Sequence, residues 1–440
     1  MTVSVPDFHV IIIGAGASPH VILIPILNAP PGATGLLLAQ GLKEAGIPYT
    51  IYEQQDEETY ARRAGQWTMA VHSALPYLES ILPPVLRAKL NSATTNPWSE
   101  PDPAIAAAIP FVNGATGELM AKIPMPSPKR LIRGKLRDLL RTGVDVRFGM
   151  RLTDIRVEDD GVVAIFNGEE VKGSVLVGAD GRRFSSFLSV DADGGRCQAR
   201  SVVRGQLVDA QAAALQKPNI MVLIAFPTFP REQALFIRAK SHPIVQLAPH
   251  PHQKTSIFSN VANVVDPDRP ETWVFHYCLS IWTAEDHPEN NEARQALFKY
   301  YMSQYCEPYK SAGEWLSQDT PILAEKFLYW KNITRWNNFG GKVTLAGDAA
   351  HPMVPFTAQG LNTALEDVKR FLDAIVKVVY HGADLQTEID AYDESAYTRG
   401  KRDIDLSAEQ MYAYHHWEEI MTSPLMKGGY GAPSNSSAIN

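Results

Sequence analysis

The feature that most constrains this chain is a glycine-rich strand-to-helix turn interrupted in mid-motif. Residues 9–16, HVIIIGAG, read as a buried parallel strand entering a glycine turn. Residues 34–53, TGLLLAQGLKEAGIPYTIYE, read as the helix and second strand that should follow at once. Between them stands SPHVILIPILNAPPGA, from Ser18 to Ala33. Excising those 16 residues leaves VIIIGAGATGLLLAQGLKEAGIPYTIYE, which satisfies G-x-G-x-x-G through Gly14, Gly16 and Gly35. In such a unit the first glycine permits the tight turn, the second lets backbone approach a pyrophosphate, and the third lets the helix pack on the strand. Bare N–H groups and the positive end of the helix dipole then face the phosphates. Glu53 closes the second strand 18 residues after Gly35, where a carboxylate accepts hydrogen bonds from a ribose.

At 440 residues and 45% hydrophobic, the chain can bury a large core, and its length suggests two or three domains. A net charge of −7 without basic runs argues against a nucleic-acid partner. The three cysteines, Cys197, Cys278 and Cys306, are odd in number and widely spaced, which points to a reducing compartment and to no metal or disulfide framework. The first strand begins too early and without a basic flank for a secretory signal. The longest apolar run, Val21 to Leu27, contains Pro25 and is too short to cross a bilayer. A soluble, cytoplasmic enzyme without an integral membrane anchor is expected.

Along the chain, residues 68–90 have apolar positions at helical spacing, and residues 91–110 read as a Pro/Ala-rich connector. A basic helix is expected over Lys129 to Arg141. After it come VDVRFG, LTDIRVED, VVAIFNG and EVKGSVLVGADG, short strands that suggest a β-meander inserted in a nucleotide-binding domain. Residues 200–330 carry mixed strands and many aromatics, including Trp273, Phe275, Tyr277 and Trp282, and read as a separate substrate-facing sheet. From Lys342 a buried strand returns, followed by a helix from Gln359 to about Tyr380. The Gly/Ser/Asn-rich tail after Ser423 is expected to be disordered. The fold class is therefore α/β: a Rossmann-like domain in two parts (1–199 and 336–422), a mixed-sheet substrate domain (200–335), C-terminal helices, and a tail at 423–440.

Two further segments sharpen this picture. In VLVGADGRRFSSFL, residues 175–188, a strand ends at Gly178-Ala179-Asp180-Gly181. In VTLAGDAAHPMVPFTAQGLNTALEDV, residues 343–368, a strand ends at Gly347-Asp348, and a helix opens at Gln359-Gly360-Leu361-Asn362. A carboxylate at such a strand end can bind a ribityl hydroxyl, and the next helix start can face a pyrophosphate or a flavin edge. With the first glycine motif, these segments resemble the FAD-dependent aromatic-hydroxylase type of monooxygenase, the group A flavoprotein monooxygenases, with the flavour of fungal secondary metabolism. The resemblance spans roughly residues 8–400. It implies that Asp348 holds the ribityl and pyrophosphate part of FAD, and that Gly360 and Leu361 present backbone to the isoalloxazine. Asp180 and Gly181 match the family's DG motif, near both FAD and the nicotinamide donor. Arg133, in LIRGKLRDLL, resembles the arginine that contacts FAD from a helix start, and Gly65 the loop position after the ribose-binding acid. Arg204, in SVVRGQLV, sits where some relatives carry an arginine that anchors a phenolate, and is the catalytic candidate. Where many relatives read Arg-Gly-Gln-Gly, this chain has Thr357-Ala358-Gln359-Gly360, which removes a positive charge near the flavin.

The resemblance implies an enzyme that uses FAD, NAD(P)H and O₂ to hydroxylate or epoxidise a hydrophobic aromatic, polyketide or terpenoid-like metabolite. Such a protein mainly orients flavin and substrate and excludes water, so few acid–base side chains are expected. A flavin-dependent reductase or oxidase on the same fold is the alternative, as is an inactive flavoprotein-like chain disabled by its interrupted glycine motif. Plainer readings stand beside several residues. His351 reads as packing, His250 and His252 as a solvated loop, and Arg62 and Arg63 either as flavin or phosphate contacts or as a solvated pair. The aromatics at 273–282 read mostly as core, with one face for a substrate pocket. The 16-residue interruption reads either as a retained intron or as a true surface loop set where backbone must approach the pyrophosphate.

Overall fold

The computed structural model describes residues 8–14, 32–61, 67–181 and 202–430. Four β-branched or branched apolar residues, Val10–Ile13, form a wholly buried strand at the centre of a parallel sheet. Burial on both faces is what such a continuous apolar run demands. Tyr49–Tyr52 pairs on one side and Val175–Gly178 on the other; Val343–Leu345 and Val146–Arg147 complete the order 343–345, 175–178, 10–13, 49–52, 146–147. The expected βαβ unit and the late return to the same sheet are both present.

Helix Ala33–Glu44 lies against this sheet with Leu36, Leu37, Leu38 and Leu42 fully buried. Gly41 lets helix Gly360–His381 come close, since a Cβ there would lie 2.2 Å from Leu372. The expected meander is a three-stranded antiparallel sheet, Leu152–Glu158, Gly161–Phe166 and Glu169–Gly173.

The second large layer is a seven-stranded sheet, ordered 322–325, 220–225, 274–282, 255–263, 246–249, 108–112, 119–124. Its last two strands, Ala108–Val112 and Leu119–Pro124, come from the stretch that begins as the expected connector. One face packs Leu223, Phe275, Tyr277 and Leu279 under Phe298, Met302 and Tyr309 of helices Asn291–Met302 and Tyr309–Glu314. The other packs Val222 and Ile224 with Ile404 and Met411 of helix Leu385–His415.

Two sequence expectations fail in the same place. Thr68–Val71 and Lys129–Ile132 are not helical but form a two-stranded antiparallel ribbon, with Ala70 opposite Arg130 and Thr68 opposite Ile132. The helix of the basic segment begins only at Arg133 and runs to Arg141. The tail expectation also needs correction at its start. Pro424–Gly428 is a helix, and Tyr430 is buried, its N–H donating to the Pro124 carbonyl at 2.8 Å. Among the described residues, no helix is long and apolar enough to cross a membrane.

Candidate active site

The glycine turn is tight for a reason visible in its neighbours. Gly14 has φ +107°, and a Cβ on it would lie 2.6–2.8 Å from the backbone of Ala179 and Asp180. A Cβ on Gly35 would lie 2.2 Å from the Gly14 carbonyl oxygen. Glycine at both positions is thus dictated by backbone packed on backbone, and the turn is brought against Asp180-Gly181, where Gly181 has φ +67°. Gly16 lies outside the described residues. Its place before the helix is taken by Gly32, the residue flanking helix Ala33–Glu44 on its N-terminal side. Gly32-Ala33-Thr34-Gly35 supplies the G-x-x-G half of the fingerprint without a break. The helix therefore starts with the last residue of the expected insertion rather than after it. No side chain caps this helix and its first turn carries no acid, which leaves the end suited to an anionic group.

Glu53 is 1% exposed at the end of the second strand, and its carboxylate accepts a hydrogen bond from the Gln55 N–H at 3.0 Å. The Gly14 N–H donates to the Tyr52 carbonyl at 2.8 Å, so the turn and the acid are held side by side. At the far strand end, Gly347 has φ +61° and no room for a Cβ, which would meet Thr34 Oγ1 at 2.7 Å. Asp348 follows in a one-turn helix, Gly347–Ala349.

A buried polar cluster fixes that turn. The Gly347 N–H donates to Asp367 Oδ2 at 2.8 Å, His351 Nε2 lies 2.6 Å from the same oxygen, and Arg399 donates to Oδ1 at 2.7 Å. Burial opposes charge on His351, but Asp367 outweighs it and holds the imidazole above its ordinary range; burial opposes charge on Asp367 too, and His351 with Arg399 holds the carboxyl below its own. His351 also packs against Gly400, where a Cβ would approach it to 2.5 Å. The histidine is a structural member of the turn, as its packing reading expected.

Arg204 belongs to the same region. It is wholly buried, with its guanidinium 5.2 Å from the ring of Trp330, and donates to the carbonyl of Ala349 at 2.7 Å and that of Asp348 at 3.4 Å. It is not among the residues that line the cavity described below, and these hydrogen bonds run to the backbone of the Asp348 turn.

A continuous cavity joins the two layers of the molecule. Its dinucleotide side is lined by Gly32, Ala33, Thr34, Arg133, Asp348, Gly360 and Leu361. Its other side is lined by Met125, Leu247 and Phe258, by Cys278 and Ser280, and by Tyr414 and Tyr430. Helix Gly360–His381 opens toward it without a side-chain cap or an acid in its first turn. Asn362 ties that opening down: Oδ1 accepts from the N–H groups of His72 and Ala74 at 3.0 and 3.2 Å, and Nδ2 donates to the carbonyls of Ala70 and Ala358 at 3.1 and 2.9 Å. Ala358 is left-handed with φ +53°.

Of the sequence candidates, Arg133, Asp348, Gly360 and Leu361 meet in this cavity; Gly14, Gly35, Glu53, Asp180 and Gly181 cluster at the glycine turn. Gly65, Arg62, Arg63 and Cys197 lie outside the described residues. On strand 274–282 the face toward the cavity is Cys278 and Ser280, while Phe275 and Tyr277 are core. His250 uses both ring nitrogens on neighbouring backbone, Nε2 near the Gln304 carbonyl at 3.1 Å and Nδ1 accepting from the His252 N–H at 3.1 Å. Gly32, Tyr414 and Tyr430 were missed by sequence reasoning. Gly32 was findable, because Gly16-Ala17 and Gly32-Ala33 are the same dipeptide and either can close the repaired motif.

A single glycine cradle, a buried acid at the end of the second strand and a strand-end aspartate beside an uncapped helix fit a flavin dinucleotide. The FAD binding domain family matches residues 31–407, beginning within the last three residues of the interruption. A FAD-dependent monooxygenase of Penicillium herquei, phnB, is 34% identical over 97% of this chain and 95% of its own. Another from Talaromyces islandicus, cctM, is 29% identical over 92% and 96%. Among solved structures, Klebsiella pneumoniae HpxO complexed with FAD and uric acid superposes with a TM-score of 0.66 at 17% identity, covering 95% of this chain and 91% of that one. The 2,6-dihydroxypyridine-3-hydroxylase of Arthrobacter nicotinovorans gives 0.67 at 14%, covering 98% and 96%. The chain belongs to the FAD binding domain family and is an FAD-dependent monooxygenase.

Proposed function

We propose that this protein uses FAD, NAD(P)H and O₂ to insert one oxygen atom into a hydrophobic aromatic, polyketide or terpenoid-like metabolite of fungal secondary metabolism, by hydroxylation or epoxidation. The observation that carries the reading is the cavity that runs from Asp348, Gly360 and Leu361 to an apolar wall on the seven-stranded sheet. Residues 1–199 and 336–422 act as the FAD-binding domain and 200–335 as the substrate domain, with strands 108–112 and 119–124 lent to the latter's sheet.

Bound and reduced, FAD would supply the two electrons that activate O₂, from which the transferred oxygen atom comes. The chain does the rest. Gly14, Gly32 and Gly35 let backbone approach the pyrophosphate, Glu53 takes the ribose, and Arg133 and Asp348 hold the phosphate and ribityl portions. The backbone of Gly360 and Leu361 orients the ring edge, and Asp180-Gly181 borders the nicotinamide approach. Arg204 is a positioning residue that holds the Asp348 turn through its carbonyls. Met125, Leu247 and Phe258 keep water from the reacting carbon, as oxygen transfer requires.

The test compares the purified full-length chain with one lacking the 16-residue interruption, measuring FAD content, NADH and NADPH oxidation in air, and incorporation of label from ¹⁸O₂. The shortened chain is expected to hold FAD and to give labelled product from an aromatic or polyketide substrate. Consumption of NAD(P)H with peroxide but no labelled product across the panel would establish the oxidase reading instead.

A further inference from the structure

Arg130 is a buried cation for which the FAD-binding scheme above has no use. It sits on strand Lys129–Ile132, lines the cavity, and is 5% exposed. No carboxylate pairs with it among the described residues. Its Nε donates to Thr68 Oγ1 at 3.0 Å and one terminal nitrogen reaches the Thr68 carbonyl at 3.4 Å. The other terminal nitrogen, Nη1, has no protein partner among the described residues. The guanidinium carbon stands 4.8 Å from the centroid of Phe258, which also lines the cavity.

Everything behind this cation is neutral. Thr68 Oγ1 lies 3.4 Å from Asn260 Oδ1, which is 3.0 Å from His276 Nδ1. Asn260 Nδ2 donates to the Val261 carbonyl, which fixes Oδ1 as the acceptor and places the imidazole proton on Nδ1. Burial first, and Arg130 second, hold His276 well below its ordinary range, so it stays uncharged. Burial likewise raises the phenols of Tyr414 and Tyr430. Burial also pushes the guanidinium itself down to about 9. An unpaired buried charge costs several kcal/mol, and the penalty is offset when an anion enters and pairs with it. Asp348, a carboxylate of the same lining, belongs to the FAD turn.

We propose that Arg130 is the specificity residue for the substrate, seating an ionised oxygen, a carboxylate or an acidic phenol or enol, on an otherwise flat apolar molecule stacked along Phe258. The assignment rests on the proposed function for the use of this cavity as the substrate site, and it gives the anchoring role expected of Arg204, on helix Val202–Leu207, to a residue of strand Lys129–Ile132. Phe258, Met125 and Leu247 supply the apolar bed, while Thr68 aims the guanidinium. A neutral, fully apolar metabolite would leave the charge buried and unpaired.

The experiment is calorimetric titration of the purified full-length chain, FAD content recorded, with 2-naphthoate, methyl 2-naphthoate and pentafluorophenol at pH 7.5. At least one anion is expected to bind tenfold or more tightly than the neutral ester, and which one does so separates a carboxylate seat from a phenolate seat. Arg130→Met should abolish that preference, leaving ester affinity within threefold and FAD content unchanged. Should Arg130→Met not fold, Arg130→Lys decides: it keeps a charge but loses the fork held by Thr68, and the preference should fall at least threefold. Equal binding of ester and both anions by the natural chain, or a preference undiminished in the folded variants, overturns the assignment, as does a variant that loses FAD and keeps the preference. A chain that prefers anions yet makes no labelled product retains this seat while refuting the oxygen-insertion reading; the reverse result does the opposite.

Discussion

The two sides of the cavity are built by different means. On the dinucleotide side the close contacts are mostly backbone, Gly14 against Ala179 and Asp180 and Gly35 against Gly14, with Gly347 set against the Thr34 side chain. On the substrate side they are side chains drawn from strands and a terminus far apart in sequence: Met125, Leu247, Phe258, Cys278, Tyr430. Backbone recognition demands glycine at fixed spacing, so it is written in the chain as a motif. Side-chain recognition demands only a shape and a charge, which many sequences supply. One half of the site is thus fixed by backbone geometry, and the other by shape and charge alone.

The comparison can be broken by substitutions, and the largest effect is expected on the dinucleotide side. Asp367→Asn leaves His351 and Arg399 without their shared carboxylate and should lower stability by about 3–5 kcal/mol, read by denaturant unfolding, with FAD lost as the Gly347 turn loosens. Gly35→Ala forces a Cβ onto the Gly14 carbonyl and should cost about 1–3 kcal/mol, with FAD retention reduced in spectra of the purified protein. On the other side, Met125→Ala removes a methylene, the thioether sulfur and a methyl from the wall and should raise KM roughly tenfold, as a partial loss of about 1–2 kcal/mol of apolar contact implies, while FAD content stays intact. Loss of FAD from Met125→Ala would erase the distinction between the two sides. The smallest effect sharpens it: Ala358→Gly relieves a left-handed alanine and should raise stability by about 1 kcal/mol, visible as a higher melting temperature.

What was legible followed the same division. The parallel sheet, the meander, the helix after Gln359 and the strand-end aspartates could be read because apolar runs, turn residues and glycine spacing are local signals. The ribbon of Thr68–Val71 and Lys129–Ile132 could not. TMAV and KRLI are four residues each, too short to separate a strand period from a helical one, and their pairing spans about 60 residues of chain. That misreading concealed Arg130, which a helix would have presented as one more basic surface residue. For Arg204 the sequence context suggested an anchor, and what the sequence does not carry is its hydrogen bonding to the carbonyls of Asp348 and Ala349, which only tertiary packing brings near. The composition of the last residues concealed Tyr430, since Gly and Ser neighbours say nothing of the groove beside Pro124 that receives it.

The wall formed by Tyr430 has a consequence in time. A ribosome adds roughly 5–20 residues each second, and earlier segments fold first. Every residue assigned to FAD has been synthesised once Leu361 emerges, whereas Tyr430 follows only after helix Leu385–His415 and the short helix Pro424–Gly428. For several seconds the nascent protein carries every residue proposed to contact FAD but neither Arg399, which steadies the Gly347 turn through Asp367, nor Tyr430, and the cavity is completed only as these later segments are delivered.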